Sequence, residues 1–208
     1  MTITNFMLFL SSSWLLIITP GPDLIYVLTR GIGQGKKAGL VSALGVTSGL
    51  LVHTLFAALG LAVVLRTSAV AFTIVKTAGA VYLIYLGIKT LLDKGQLELS
   101  ENKAHVKTRD LYVQGIVSNV FNPKVALFFM AFLPQFLDSS NGVPAGAMVG
   151  LGLLFSFCGL IFLATVGYFA GYVGRWLATR QTIARRVQWG TGAVLMLLGV
   201  RLAFLKRK

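Results

Sequence analysis

The sequence predicts an all-α polytopic membrane protein: six transmembrane helices forming two inverted three-helix repeats, with helices one and four broken by proline. Three observations carry this. Of the 208 residues 56% are hydrophobic and 12% charged, with a mean hydropathy of +0.80, outside the range of soluble domains. Nearly uninterrupted apolar stretches recur at the length of about 20 residues that a helix needs to cross a hydrocarbon core roughly 30 Å thick. Residue patterns of the first half also return, in the same order, in the second.

The first segment, residues 6–29, is expected to be a span and not a cleavable signal, because it lacks a basic n-region and carries Pro20, Pro22 and Asp23 where a signal's apolar core would end. The second, 39–65, places Ser42, Gly45, Gly49 and His53 on one helical face, with Gly45 and Gly49 in a GxxxG spacing that lets helices approach closely. The third, 70–92, completes a first repeat over residues 1–92. A polar stretch, 93–110, is read as a cytoplasmic linker to the second repeat, 111–208. Within that repeat the fourth segment, 111–137, carries Gln114, Ser118 and Asn122 at every fourth position with Asn119 beside them, a polar stripe suited to lining a cavity. The fifth, 146–174, holds the lone Cys158 as a packing residue, and the sixth is 187–205.

Three internal matches argue for the repeat. Gly79 to Lys89 resembles Gly192 to Arg201, Gly49-Leu50-Leu51 resembles Gly159-Leu160-Ile161, and Thr19-Pro20 resembles Asn122-Pro123. With an odd number of spans per repeat the second must lie upside down relative to the first, the plan of many alternating-access carriers.

The net charge of +13 would suggest a polyanionic partner in a soluble chain, but here the basic residues fall in the gaps between apolar runs, so no nucleic acid is expected. The loops after segments one, three and five hold twelve Lys and Arg against six on the other side, which places those loops in the cytoplasm and both termini outside.

Proline inside a helix removes a hydrogen bond, and in lipid the freed backbone must be satisfied by protein or water. Thr19-Pro20 and Asn122-Pro123 are expected to cap and start half-helices whose positive ends face a cavity near mid-membrane. Asp23 and Lys124, the acid and the lysine deep within predicted spans, each follow one of these prolines, and buried ionisable groups in a membrane are read as functional. A substrate with one carboxylate and one ammonium suits that pair: half-helix ends and Lys124 for the carboxylate, Asp23 for the ammonium or a coupling proton. His53 is a second coupling-proton candidate or a hydrogen-bonded interhelical residue. Gln114, Ser118 and Ser42 are cavity-lining candidates.

Enzyme chemistry is not expected. Intramembrane proteolysis needs a Ser-His pair or two membrane aspartates, whereas His53 is the intramembrane histidine and Asp23 has no acidic mate within the spans. His53 and Cys158 supply too few ligands for haem or metal, so no metal and no cofactor is expected. A channel filter is not visible either. GxxxG-like spacings permit a homodimer.

Thr19-Pro20-Gly21-Pro22-Asp23, Gly31 through Gly39, Leu44 to Gly49, Lys76 to Gly87, and Asn119 to Phe136 with Asn122-Pro123-Lys124 and Leu133-Pro134-Gln135-Phe136 together resemble the LysE/RhtB family of amino-acid exporters over nearly the whole chain. The resemblance implies a carrier of the bacterial inner membrane that expels amino acids by proton antiport, its transport site at Pro20, Gly21, Pro22, Asn122, Pro123 and Lys124. Because Asp23 is the sole buried acid, a neutral substrate such as threonine, homoserine or a branched aliphatic amino acid is favoured over a basic one. The alternatives are export of another small metabolite, drug or cation, or a channel.

Overall fold

The computed structural model describes residues 2–61, 69–92, 106–137, 144–173 and 181–204, which are helical apart from short turns and contain no strand. Most of the predicted linker, the basic loop around Arg175 and Arg180, and residues 205–208 with the basic Lys206, Arg207 and Lys208 lie outside the described residues. In chain order the helices are α1 (Ile3–Ile18), α2 (Pro22–Gln34), α3 (Lys36–Phe56), α4 (Ala69–Leu92), α5 (Thr108–Val120), α6 (Pro123–Leu127), α7 (Ala145–Tyr168) and α8 (Gln181–Phe204). A π-helical turn, Ala57–Leu61, prolongs α3, and a π turn (Phe128–Phe132) followed by a 3-10 turn (Leu133–Phe136) prolongs α6.

Predicted segments one and four are each two helices. α1 and α2 are bent by 48°, and so are α5 and the run from Pro123 to Phe136. α3 with the first part of its π turn (Lys36–Leu59) and α7 are each 24 residues of apolar helix, about 36 Å long, enough to cross a bilayer unaided. The bent pairs pass that test only as pairs, so two spans, or four, meet it among the described residues, where six were expected. α4 is apolar from Ala69 to Leu92 apart from Lys76 and Lys89, and α8 carries Arg185, Arg186 and Arg201. Boundaries also move: α5 begins at Thr108, inside the predicted linker, and α8 begins at Gln181, ahead of residue 187, because polar residues at helix ends carry no apolar signal.

α3 is the central helix. It runs parallel to α5, with Gly45 against the Tyr112 carbonyl near one end and Gly49 against Asn119 further along. It runs antiparallel to α7, meeting Gly167 at Gly39 and Gly152 at Thr54. At these points a methyl group would strike backbone or side chain, so the close crossings depend on glycine. α2 reaches α3 through Gly35 alone, whose φ of +84° is a conformation that L side chains rarely adopt. α4 and α8 form a second antiparallel pair, with Gly87 opposite Gly192 and Ile84 opposite Gly199.

The largest core lies where the α6 extension meets α1 and α7. Phe128, Phe129, Phe132 and Phe136 pack with Phe9 and Phe155, with ring centroids 4.9 Å apart for Phe128 and Phe155 and 5.5 Å for Phe9 and Phe136. Outward, Leu51, Leu55 and Phe56 on α3 and Leu153, Phe157 and Ile161 on α7 are exposed. Patches of this kind are a liability in water and the natural contact with lipid.

Candidate functional site

The site is built from the two helix breaks. At the first, the Thr19 N–H closes the last turn of α1 on the Leu15 carbonyl, and then the chain unwinds. Pro20 has no N–H, so the Leu16 carbonyl loses its ordinary intrahelical donor. Gly21 is extended and precedes α2 without a side-chain cap, Pro22 takes the first helical position, and Asp23 the second. Thr19 therefore does not cap α2, contrary to expectation: its hydroxyl turns back to the Leu15 carbonyl at 2.5 Å, and Pro-Gly-Pro delays the new helix by two residues.

At the second break the expectation for Asn122 and Pro123 matches the geometry. The Asn122 Oδ1 accepts the Lys124 N–H at 3.0 Å, Pro123 is the first helical residue, and Lys124 the second. Pro22 and Pro123 thus take the same helical position, where the sequence suggested pairing Pro20 with Pro123, and Asp23 and Lys124 take the next.

Each break is completed by the other. The Lys124 Nζ donates to the Leu16 carbonyl at 3.2 Å and the Thr19 carbonyl at 2.9 Å, with only 7% of the residue exposed. The Asp23 Oδ2 accepts from the Asn119 and Asn122 side-chain amides, both at 2.8 Å, while the Ser118 hydroxyl stands 3.5 Å from Oδ1. Asp23 and Lys124 form no ion pair with each other. Asp23 has the sign favoured in the first turn of α2, and the Lys124 ammonium, disfavoured in the first turn of its own helix α6, reaches the C-terminus of α1 where a cation is favoured.

Behind this layer the buried His53 places Nε2 3.0 Å from the Asn119 carbonyl. Pro123 cannot donate to that carbonyl, which takes the Asn122 N–H at 2.9 Å and the His53 ring instead. A carbonyl only accepts, so Nε2 carries hydrogen.

Between the breaks lies a cavity of about 40 Å³. By the one-probe measure of about 10–15 Å³ per water, it holds roughly three waters or the head group of a small solute. Thr19, Asp23, Asn119 and Lys124 form its polar side; Val46, Leu50, Phe155, Gly159 and Leu163 are among its apolar lining residues. Gln114, Ser118 and Ser42, expected to line it, do not; Ser118 only approaches the Asp23 carboxylate from outside it. The exposed Gln114 accepts from Arg30 at 3.0 Å, and Ser42 is buried with its carbonyl near Gly115 of α5. Arg30 also stacks 5.6 Å over the ring of Tyr26, whose hydroxyl donates to the Leu111 carbonyl at 2.6 Å, so α2 and α5 are tied together beside the cavity.

Sequence reasoning missed the role of main-chain oxygen at Leu16 and Thr19, although Pro20 signals the first of them. It also read Gly49 only as packing, whereas a Cβ there would lie 2.7 Å from the Asn119 Oδ1 and displace the amide that holds Asp23.

A helical membrane protein with opposite charges fixed at two helix breaks around a small cavity is built as a translocator of small solutes. Residues 14–206 match the model of the LysE type translocators, and the chain belongs to this family of multi-pass inner-membrane proteins. It is 32% identical over 212 residues to a protein named leucine efflux protein from Klebsiella pneumoniae, covering 98% of this chain and 97% of the relative. The leucine efflux protein of an Enterobacter species is 28% identical over 207 residues, with 98% and 97% covered. The uncharacterized membrane protein YrhP of Bacillus subtilis is 30% identical over 198 residues, with 90% and 92% covered. No solved structure matches.

Proposed function

We propose that this protein exports neutral amino acids with aliphatic side chains, leucine-like before threonine or homoserine, in exchange for protons. The observation that carries the reading is the cavity, with Asp23 and Lys124 on its polar side and Val46, Leu50, Phe155 and Leu163 among its apolar lining. An α-amino acid has that distribution: a carboxylate for the α2 N-terminus and the remaining Lys124 hydrogen, an ammonium for Asp23, and an apolar tail. Thr19, Pro20, Gly21, Pro22, Asn119, Asn122 and Pro123 shape this site, and Asp23 exchanges its proton for the substrate ammonium. Export of leucine by the two similar proteins, as their names state, supports an aliphatic cargo.

Six spans in two inverted repeats belong to the same proposal. The equal 48° bends, proline at the first helical position of α2 and of α6, and charges at the following positions support it. So does the parallel course of α3 and α5, which a single crossing by α4 between them requires. The test is uptake into inverted membrane vesicles energised by a proton gradient and offered labelled leucine, threonine, lysine and glutamate. Gradient-dependent accumulation of leucine ahead of the charged amino acids is expected. No accumulation of any amino acid, with the protein inserted and folded, overturns the proposal.

A further inference from the structure

We infer that the Lys124 ammonium is a tethered cation: it occupies, as part of the chain, the small monovalent-cation site created by the break in the first helix, so the protein needs no free metal cation to work. In carriers built from broken helices, unwound carbonyls and the negative ends of half-helices hold the coupling cation. The first break has that donor set. The Leu16 carbonyl, freed by Pro20, and the Thr19 carbonyl converge at the C-terminus of α1, and the Asp23 carboxylate lines the same cavity. What lies among them is the lysine head group from the other break.

The surroundings are shaped to the ammonium. A Cβ on Gly21 would stand 3.0 Å from Nζ, so the glycine leaves the space that the ammonium uses. The lysine does not snorkel toward water: it is buried, and two of its three hydrogens are spent on carbonyls that no backbone N–H of α2 satisfies among the described residues. It does not serve chiefly to neutralise Asp23 either, because the carboxylate is held by two neutral amides and the two charges do not pair. Truncating the chain at Cβ leaves two carbonyls and one carboxylate facing an enlarged space, a site for sodium, ammonium or methylammonium.

This deepens the transport reading, and only its flux arm rests on that reading. The experiment compares wild type with Lys124→Ala, purified, in choline, sodium, ammonium or methylammonium chloride at equal ionic strength, first by thermal unfolding and then by proton-driven leucine uptake into liposomes. Wild type should melt and transport alike in all four salts. Lys124→Ala should melt lower in choline and be raised by at least one of the small cations, with uptake slowed about tenfold or more in choline and largely restored by that same cation. Wild-type stimulation by sodium, a variant indifferent to every cation, or wild-type uptake by Lys124→Met overturns the inference. Should Lys124→Ala not fold, Lys124→Gln keeps hydrogens for both carbonyls without the charge. About tenfold slower uptake by that variant, unresponsive to cations, is expected, and wild-type uptake by it overturns the inference. A cation-dependent melting shift in Lys124→Ala when wild type itself moves no amino acid would sink the transport reading and leave the cation site standing.

Discussion

At the first break three residues, Thr19 to Gly21, separate Ile18 from Pro22; at the second only Phe121 and Asn122 separate Val120 from Pro123. The longer break has no side chain capping the helix that follows and exposes two carbonyls to a partner from elsewhere. The shorter one caps itself through Asn122 and has amide hydrogens to spare for Asp23. The first break therefore depends on the second for both its charge balance and its hydrogen bonds. The second depends on the first mainly for a carboxylate to hold. A carrier that opens by moving one break against the other must exchange these contacts, and the moving parts are then the links from Lys124 to α1 and from Asp23 to Asn119 and Asn122.

The largest expected effect comes from removing the charge at the first break while keeping its shape. Asp23→Asn retains an oxygen for the Asn119 and Asn122 amides, so insertion and melting should stay near wild type. Proton-driven leucine uptake should fall roughly thirtyfold or more, since a buried charge loses its ionic partner on the substrate. Wild-type uptake with unaltered pH dependence would remove Asp23 from both substrate binding and proton exchange.

The caps give a smaller and sharper contrast. Asn122→Ala removes an N-cap and one of the two amides on Asp23, and should destabilise the protein by about 1–2 kcal/mol in detergent unfolding. Thr19→Val should cost at most about 0.5 kcal/mol, because the Leu15 carbonyl keeps its bond from the Thr19 backbone N–H. Equal losses in the two variants would mean that the breaks are capped alike, as the sequence first suggests.

The breaks themselves were legible because a proline beside a charge within an apolar run is costly in lipid unless a cavity or a partner helix satisfies both. Asn119, Asn122, Asp23 and Lys124 were legible for the same reason, as polar groups in an apolar setting. The match between the two breaks was not: two prolines at residues 20 and 22 offer two alignments with Pro123, and only the backbone shows which one starts a helix. Nor could a periodic stripe show that Gln114 is taken by Arg30, a partner 84 positions away. Main-chain carbonyls leave no mark in a sequence except through the proline that robs them. α4 and α8 read as apolar segments because the pattern Gly79 to Lys89 returns at Gly192 to Arg201, and the structure packs those two stretches against each other at Gly87 and Gly192.

His53 separates positioning from proton transfer at the second break, with the smallest expected effect. Its Nε2 hydrogen serves the Asn119 carbonyl that Pro123 leaves short of a donor, and the Asn119 amide in turn holds Asp23. His53→Gln offers an amide hydrogen at similar reach and does not titrate near neutrality. Leucine uptake should stay within about twofold of wild type, with the same pH profile, since a retained hydrogen bond changes the barrier by less than about 0.5 kcal/mol. His53→Phe, which fills the space without a donor, should slow uptake about fivefold through a loosened Asn119, the equivalent of one hydrogen bond. If the glutamine variant folds but loses its proton dependence, His53 carries the proton and Asp23 only holds the ammonium, and the coupling group moves from the first break to the helix that packs behind the second.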